Sequence, residues 1–313
     1  MRKNSIFTVL SFLFIVIVIG KLVIVAQAPI TGTWTANTRE EKDGRINLSL
    51  ERRSASGGHN QMGKTYDYSD LQGLTREQAQ NGKVSFRLAH EAGTIQFDGE
   101  FLNGRGSGTF TYTPNGSFFD AMRSRGFDFS KSRAKNDSDE ARSSTKRDSD
   151  DVSDRMFAAA TLNVTMALAD DLLAANFGKL DVDDLFKAAI FNIDGKFMAE
   201  MKSTGFPNLG MEDLVKARIF KIDADYVRQI HDMGFENQDF EGLVKFRIFK
   251  VTPEFLSELK SQGFSDISPE EVVKFRIFNI DADFIRKAKA EDPNVTVEQM
   301  VQMKIGVRRR SDN

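Results

Sequence analysis

From about Thr165 to its C-terminus the chain repeats itself every 29 residues, and that period limits the fold more than any other feature. Gly205-Phe206, Gly234-Phe235 and Gly263-Phe264 keep the spacing, as do Ile190-Phe191, Ile219-Phe220, Ile248-Phe249 and Ile277-Phe278. A register held through four copies marks a solenoid of stacked units, in which each unit touches only its neighbours. Residues able to cap a helix place two short helices in each unit. Asp181, Gly210, Asp239 and Ser268 open the first, and Asp194, Asp223, Thr252 and Asp281 open the second. Ser268 and Glu271 form a capping box around Pro269, whose missing N–H costs nothing at a helix start. Gly205, Gly234 and Gly263 then stop the second helix by taking the left-handed conformation.

Helical spacing predicts which columns are buried. In the first helix they are Leu185/Leu214/Leu243/Val272 and Ile190/Ile219/Ile248/Ile277. In the second they are Phe197/Tyr226/Phe255/Phe284 and Met201/Ile230/Leu259/Ala288, with Ile193/Ile222/Val251/Ile280 closing the turn between helices. The pattern begins with a lone second-helix half over 166–177 and ends with a lone first-helix half over 297–304. Helices this short are marginal alone, so stacking must stabilise them, and the array is expected to fold independently of what precedes it.

Upstream, residues 31–113 change to short alternating runs. Candidate strands are 32–36, 45–51, 64–68, 83–88, 94–101 and 107–112, and Asn103-Gly104 is a strong hairpin signal because both residues tolerate positive φ. The fold class expected is therefore α+β and multidomain. A small antiparallel β-barrel or sandwich is followed by an α-solenoid of 29-residue two-helix repeats. Thr75 and Gln78 match a capping box inside the β region, and Thr113-Pro114 opens a short helix closed by Gly126-Phe127. Residues 130–154 carry six basic and seven acidic side chains with only Val152 as a large aliphatic, so the segment reads as a disordered charged linker. The predicted organisation is 1–28 signal peptide or N-terminal membrane anchor, 29–129 β-meander domain, 130–154 linker, 155–306 helical repeats and 307–313 basic tail.

The N-terminus sets the expected compartment. Arg2 and Lys3 precede an apolar run over 6–20, a second run follows Lys21, and Ala26-Gln27-Ala28 has the small-residue spacing of a cleavage site. The alternative is a retained anchor, since residues 6–26 as a helix reach about 31 Å. Either way the rest of the chain is expected on the extracytoplasmic side, periplasmic or secreted, or held at the inner membrane.

Composition and motifs narrow the function classes. Forty-three basic and 45 acidic residues leave a formal charge of -2, and the linker has no basic block, so nucleic acid is not an expected partner. The absence of cysteine removes thiolate nucleophiles, cysteine-ligated zinc and iron–sulfur clusters. There is no Gly-x-Ser-x-Gly, phosphate loop or His-Glu-x-x-His, so no catalytic residue, metal site or cofactor is assigned and the chain is read as non-enzymatic. What recurs instead is charge. Lys187/Lys216/Lys245/Lys274 forms one column and Arg218/Arg247/Arg276 another, with Ala189 in the first copy. These residues either pair within the array or form a ladder for an acidic protein or surface polymer. The polar loop over 54–63, with His59, Asn60 and Gln61, is the second candidate contact. Trp34 in the first strand is read as a core aromatic, with a ligand-stacking role as the other option.

Several segments carry a resemblance. Gly32-Thr33-Trp34-Thr35, Glu51-Arg52-Arg53-Ser54, Gln61-Met62-Gly63, the stretch 70–78 and Phe127-Asp128-Phe129 resemble signatures of an exported bacterial family. That family has an N-terminal β domain and repeats of the Leu-Arg-x-x-Gly-Val-Thr-Pro-Glu-Phe type. Similar modules occur behind membrane metallopeptidases of the antirepressor, or β-lactam-sensor, type. This chain has three histidines and no peptidase motif, so the resemblance carries over no catalytic residue. It implies an interaction or sensor-accessory scaffold. A carrier of a small apolar ligand in the β domain and an unrecognised hydrolase remain the alternatives. Cell fractionation is expected to recover the protein outside the cytoplasm, with N-terminal sequencing separating cleavage near Ala28 from retention. Recovery of the full-length chain in the soluble cytoplasm contradicts export.

Overall fold

The computed structural model describes residues 30–38, 44–53, 59–130, 144–206, 208–236 and 238–306; the N-terminal targeting segment and the basic tail lie outside them. The alternating region forms one curled antiparallel sheet, a half-barrel, and not a two-sheet sandwich. Its strands are β1 Ile30–Asn37, β2 Arg45–Arg53, β3 His59–Asp67, β4 Leu71–Gln72, β5 Gly82–His90, β6 Gly93–Leu102 and β7 Arg105–Pro114. They lie in the order β3-β2-β1-β7-β6-β5-β4, so the long-range β1–β7 pairing joins two meanders. Asn103 (φ 51°) and Gly104 (φ 76°) make the expected tight turn between β6 and β7.

Alternation sends Trp34, Ile46, Leu48, Leu50, Phe86, Phe97 and Phe110 to the inner face. Trp34 lies edge-on to Phe86 and Phe97, with ring centroids 5.4 and 6.2 Å away. The indole fits because Gly99, Gly106 and Gly108 pass beneath it. A Cβ at any of the three would come within 2.8 Å of the ring. Thr75 and Gln78 exchange the predicted bonds, Gln78 N–H donating to Thr75 Oγ1 at 3.2 Å and Thr75 N–H to Gln78 Oε1 at 2.9 Å.

Twelve helices follow among the described residues: α1 Gly116–Ser124, α2 Ser144–Leu162, α3 Met166–Ala175, α4 Val182–Phe191, α5 Gly195–Ser203, α6 Met211–Phe220, α7 Ala224–Asp232, α8 Phe240–Ile248, α9 Pro253–Ser261, α10 Pro269–Ile277, α11 Ala282–Glu291 and α12 Val297–Lys304. From α2 onward they alternate between a first row (even numbers) and a second row (odd numbers). The side chains of Asp181, Asp239 and Ser268 cap first-row starts, and those of Asp194, Asp223, Thr252 and Asp281 cap second-row starts. Gly205, Gly234 and Gly263 take φ of 88°, 95° and 85° beyond the second-row helices.

In the helical region the structure departs from the sequence reading chiefly in three places. Residues 144–154, read as linker, form the first half of α2. The second half of this helix is buried, and a nucleated helix extends at little cost through a stretch lacking proline and glycine. Secondly, the array starts one helix earlier than expected. Ala159, Asn163 and Val164 stand 29 residues before Ala188, Asn192 and Ile193, so α2 is the first-row helix of the first unit. Thirdly, the column predicted buried at Ile190, Ile219, Ile248 and Ile277 is exposed by 53%, 53%, 50% and 47%. The column at Leu185, Leu214, Leu243 and Val272 already faces the second row, and a residue five positions on turns away from it. The other predicted columns are buried, apart from half-buried Phe284.

Helix α2 is also what fills the half-barrel. Phe157 stacks on Phe110 with centroids 5.1 Å apart and planes within 3°, and Tyr112 bonds the Met156 carbonyl at 3.0 Å. Lys64 donates to the Leu162 carbonyl at 3.1 Å, Tyr66 to that of Thr161 at 3.0 Å and His90 Nδ1 to that of Ala160 at 2.5 Å. Three sheet side chains thus satisfy carbonyls that the helix C-terminus leaves without intrahelical partners. The helices α2 and α3 together have the length and apolarity of a bent membrane span, but they form the first repeat, with Met156, Phe157, Ala159 and Ala160 buried. No single helix among the described residues is long and apolar enough to cross a membrane.

Because α2 packs against the sheet and also begins the array, the two are expected to unfold together, in place of the independent folding expected from the sequence. Phe157→Ala is expected to cost about 3–5 kcal/mol. Urea unfolding followed by Trp34 fluorescence and by helical circular dichroism should move together; a shift in one signal alone shows that the units unfold separately.

Candidate interaction surface

The two charged columns have different fates. Each arginine reaches back to the preceding unit and places its guanidinium over an aromatic ring, Arg218 over Phe197 at 3.7 Å, Arg247 over Tyr226 at 3.6 Å and Arg276 over Phe255 at 4.2 Å. The same guanidinium donates to the carbonyl of the left-handed residue ending the previous first-row helix. Arg218 reaches Asn192, Arg247 reaches Lys221 at 2.7 Å and Arg276 reaches Lys250 at 2.9 Å. These residues have φ of 53°, 54° and 53°, which lysine adopts only when its surroundings hold it there. The arginines are therefore staples between repeats. In the last unit, 28 residues on, Lys304 stands at this position and keeps the ring contact, over Phe284 at 4.7 Å. Ala189, the one column member without a cation, corresponds to α2, whose C-terminus the sheet already caps.

The lysines lie at the surface. Lys187 pairs with Glu212 at 2.6 Å, Lys216 with Glu241 and Lys274 with Glu298 at 2.9 Å, each acid belonging to the next unit. Hydrogen bonds to Glu212, Glu241 and Glu298 raise the pKa of the three ammonium groups above the usual lysine value. Lys187 and Lys216 also meet Asp184 and Asp213 three residues earlier on their own helices, at 3.3 and 3.7 Å. Lys245 is exposed and makes no ion pair among the described residues; Gly242 stands where the other copies have Asp184, Asp213 and Glu271.

Beside the charges runs an apolar row. Ile190, Ile219, Ile248, Ile277 and, in the shorter last unit, Ile305 account for five of the eight exposed large apolar side chains among the described residues. On α2 the equivalent position is Thr161, buried under the sheet with its carbonyl bonded by Tyr66. The face that the half-barrel covers in the first unit is left open in all the others.

A further column escaped the sequence reading although its spacing marks it. Lys202, Lys260 and Lys289 donate to the carbonyls of Ala175, Met233 and Gln262 in the preceding unit, and Lys289 lies 4.4 Å over Phe264. His231 occupies the same position in the second of these units, and its buried Nε2 has no hydrogen-bond partner.

The candidate residues of the β domain sit elsewhere. His59, Asn60 and Gln61, read as loop, begin β3 and pair with Arg53, Arg52 and Glu51, because β2 runs long enough to extend the ladder. Asn60 donates to Asp154, which also pairs with Arg52, so it belongs to the junction with α2. Gln61 donates to Ser49 at 2.9 Å. The side chain of His59 lies outside the described residues. No known protein family matches this chain, and no curated protein is detectably similar to it.

Arg247→Ala is expected to destabilise the array by about 2–4 kcal/mol, through the lost carbonyl bond and ring contact, against under about 0.5 kcal/mol for Lys245→Ala. His231→Lys, which restores the donor found in the sister repeats, is expected to stabilise by about 1 kcal/mol. Urea midpoints at fixed m-value check all three, and equal losses for Arg247→Ala and Lys245→Ala overturn the assignment.

Proposed function

We propose that this chain is a non-catalytic interaction scaffold whose helical array is the binding surface, exposed on the extracytoplasmic side of a membrane. The observation that carries the proposal is the row of five half-exposed isoleucines in register along the first-row helices. Isolated exposed apolar residues are ordinary, but a contiguous row rimmed by charge is how a partner-binding face differs from general surface. Regular spacing lets modest contacts act together along one partner. The partner proposed is a protein with acidic groups, since the lysine column flanks the row and apolar side chains have no counterpart in a highly charged surface polymer.

The arginine column is not part of this surface, because its guanidinium groups hold neighbouring repeats together. Asn60, likewise, serves the sheet–helix junction. The exported placement rests on the N-terminal residues, and the sensor-accessory role rests on the resemblance given above. The carrier alternative needs room inside the half-barrel, and that inner face is packed with Trp34, Phe86, Phe97, Phe110 and the intruding Phe157.

A photo-crosslinking amino acid placed at Ile219 or Ile248 in cells is expected to trap a discrete protein adduct, whereas one at exposed Lys83 on the sheet traps none. The double variant Ile219→Asp/Ile248→Asp should stay folded, since both side chains are half exposed, and should weaken adduct formation at Ile277. Adducts arising only from the sheet overturn the reading.

A further inference from the structure

Between α8 and α10 the first-row surface opens into a groove of about 620 Å³, lined in part by Gly242, Lys245, Phe249, Glu270, Val273 and Ile277. Three of these residues explain why the groove lies here. Gly242 replaces the acid that in the sister repeats sits three residues before the column lysine. Its loss removes the local counter-charge of Lys245, and the cross-repeat pair seen at Lys187–Glu212, Lys216–Glu241 and Lys274–Glu298 is not made between Lys245 and Glu270. Glu270 lies in the first turn of α10, as Glu212 and Glu241 lie in the first turns of α6 and α8. The groove joins the Lys245 ammonium, which makes no ion pair among the described residues, to an apolar wall of half-buried Phe249 and Val273 and half-exposed Ile277; of the other charges in its lining, Asp239 caps α8 and Lys274 pairs with Glu298, which leaves Glu270.

We infer that this groove binds an extended acidic peptide segment of a partner protein, with a carboxylate on Lys245 and a neighbouring large apolar side chain between Phe249, Val273 and Ile277. This inference rests on the array being the binding surface and identifies the chemistry of one subsite. The groove has the size of pockets that take small ligands or a few residues, whereas a docked helix is about 10–12 Å across. The wall is continuous with the isoleucine row, whose equivalent in α2 already carries an established contact with the sheet. Lys245 supplies register, because it is the lysine of its column that makes no ion pair among the described residues, although Glu270 holds the position of the sister acids Glu212 and Glu241.

The test uses the full chain. Random twelve-residue peptides displayed on phage are selected on it, and the most enriched peptide is synthesised with a fluorescent label and titrated by anisotropy. The central variant is Gly242→Asp, which installs the residue that the sister units carry. The nearest atoms that an added Cβ meets all belong to the Gln238 side chain, which must turn aside, and folding is expected to be retained, as circular dichroism melting verifies. Enriched peptides are expected to carry Asp or Glu within two residues of a large apolar residue. Gly242→Asp, Lys245→Ala and Ile277→Asp should each weaken binding by about tenfold or more, while Ile219→Asp leaves it unchanged. Failure to enrich any peptide, or a peptide indifferent to Gly242→Asp and Ile277→Asp, overturns the groove assignment. Affinity lost with Ile219→Asp but not Ile277→Asp refutes the groove and leaves the array as the binding surface. Binding that no array substitution alters refutes both.

Discussion

The structure depends on how each first-row helix ends. Such a helix leaves carbonyls at its C-terminus without intrahelical partners, and here a residue one or two positions beyond it turns left-handed, at Asn163, Asn192, Lys221, Lys250 and Asn279. A donor from outside must hold that end. For Asn192, Lys221 and Lys250 it is an arginine of the next unit, whose guanidinium also lies over an aromatic ring. At the first unit it is the sheet, through Lys64, Tyr66 and His90. One requirement therefore sets both the stacking of the repeats and the docking of the β domain. It also explains why the arginine column starts with Ala189, since the end that this residue would cap is already held by the sheet.

This division of labour separates stability from recognition. Guanidinium groups suit the structural role because a rigid fork can bond a carbonyl while its face lies on a ring, which an ammonium on a flexible stem does less well. Three of the four column lysines, two residues earlier, pair with acids of the next unit at surface sites, where such pairs add little stability. Together with the isoleucine row they make a surface whose composition the fold does not require. Neighbouring units can differ there without unstacking.

The departures from repeat symmetry are as informative as the repeats. Gly242 breaks a column of acids, His231 a column of lysines and Ala189 a column of arginines. Each change has a different local consequence: a lysine without an ion pair, a buried imidazole nitrogen without a partner, and a helix end given over to the sheet. In a quasi-linear array such substitutions act on one junction and leave distant units untouched. A solenoid can thus acquire a site at one position while keeping its fold.

Local chemistry made much of this protein legible in its sequence. The period, the cap residues, the glycine stops, the strands and the Asn103-Gly104 turn all depend on neighbours within a few residues, and they appear where expected. The lysine and arginine columns were visible as columns, and the choice between staple and ladder was not. That choice depends on a ring and a carbonyl 21 and 26 residues away in sequence but adjacent in space. The isoleucine column was misassigned for the same reason. An amphipathic pattern shows that a helix has an apolar side, but how much of that side a neighbour covers depends on packing geometry. Residues 144–154 look too polar to order themselves and are helical because the rest of α2 is buried in the half-barrel. By itself the sequence determined the elements and their repetition, since hydrogen bonding and backbone preference act locally. Only the tertiary structure decided which repeated side chains are consumed in holding the array together and which stay free to meet a partner, since burial and pairing depend on what each helix packs against.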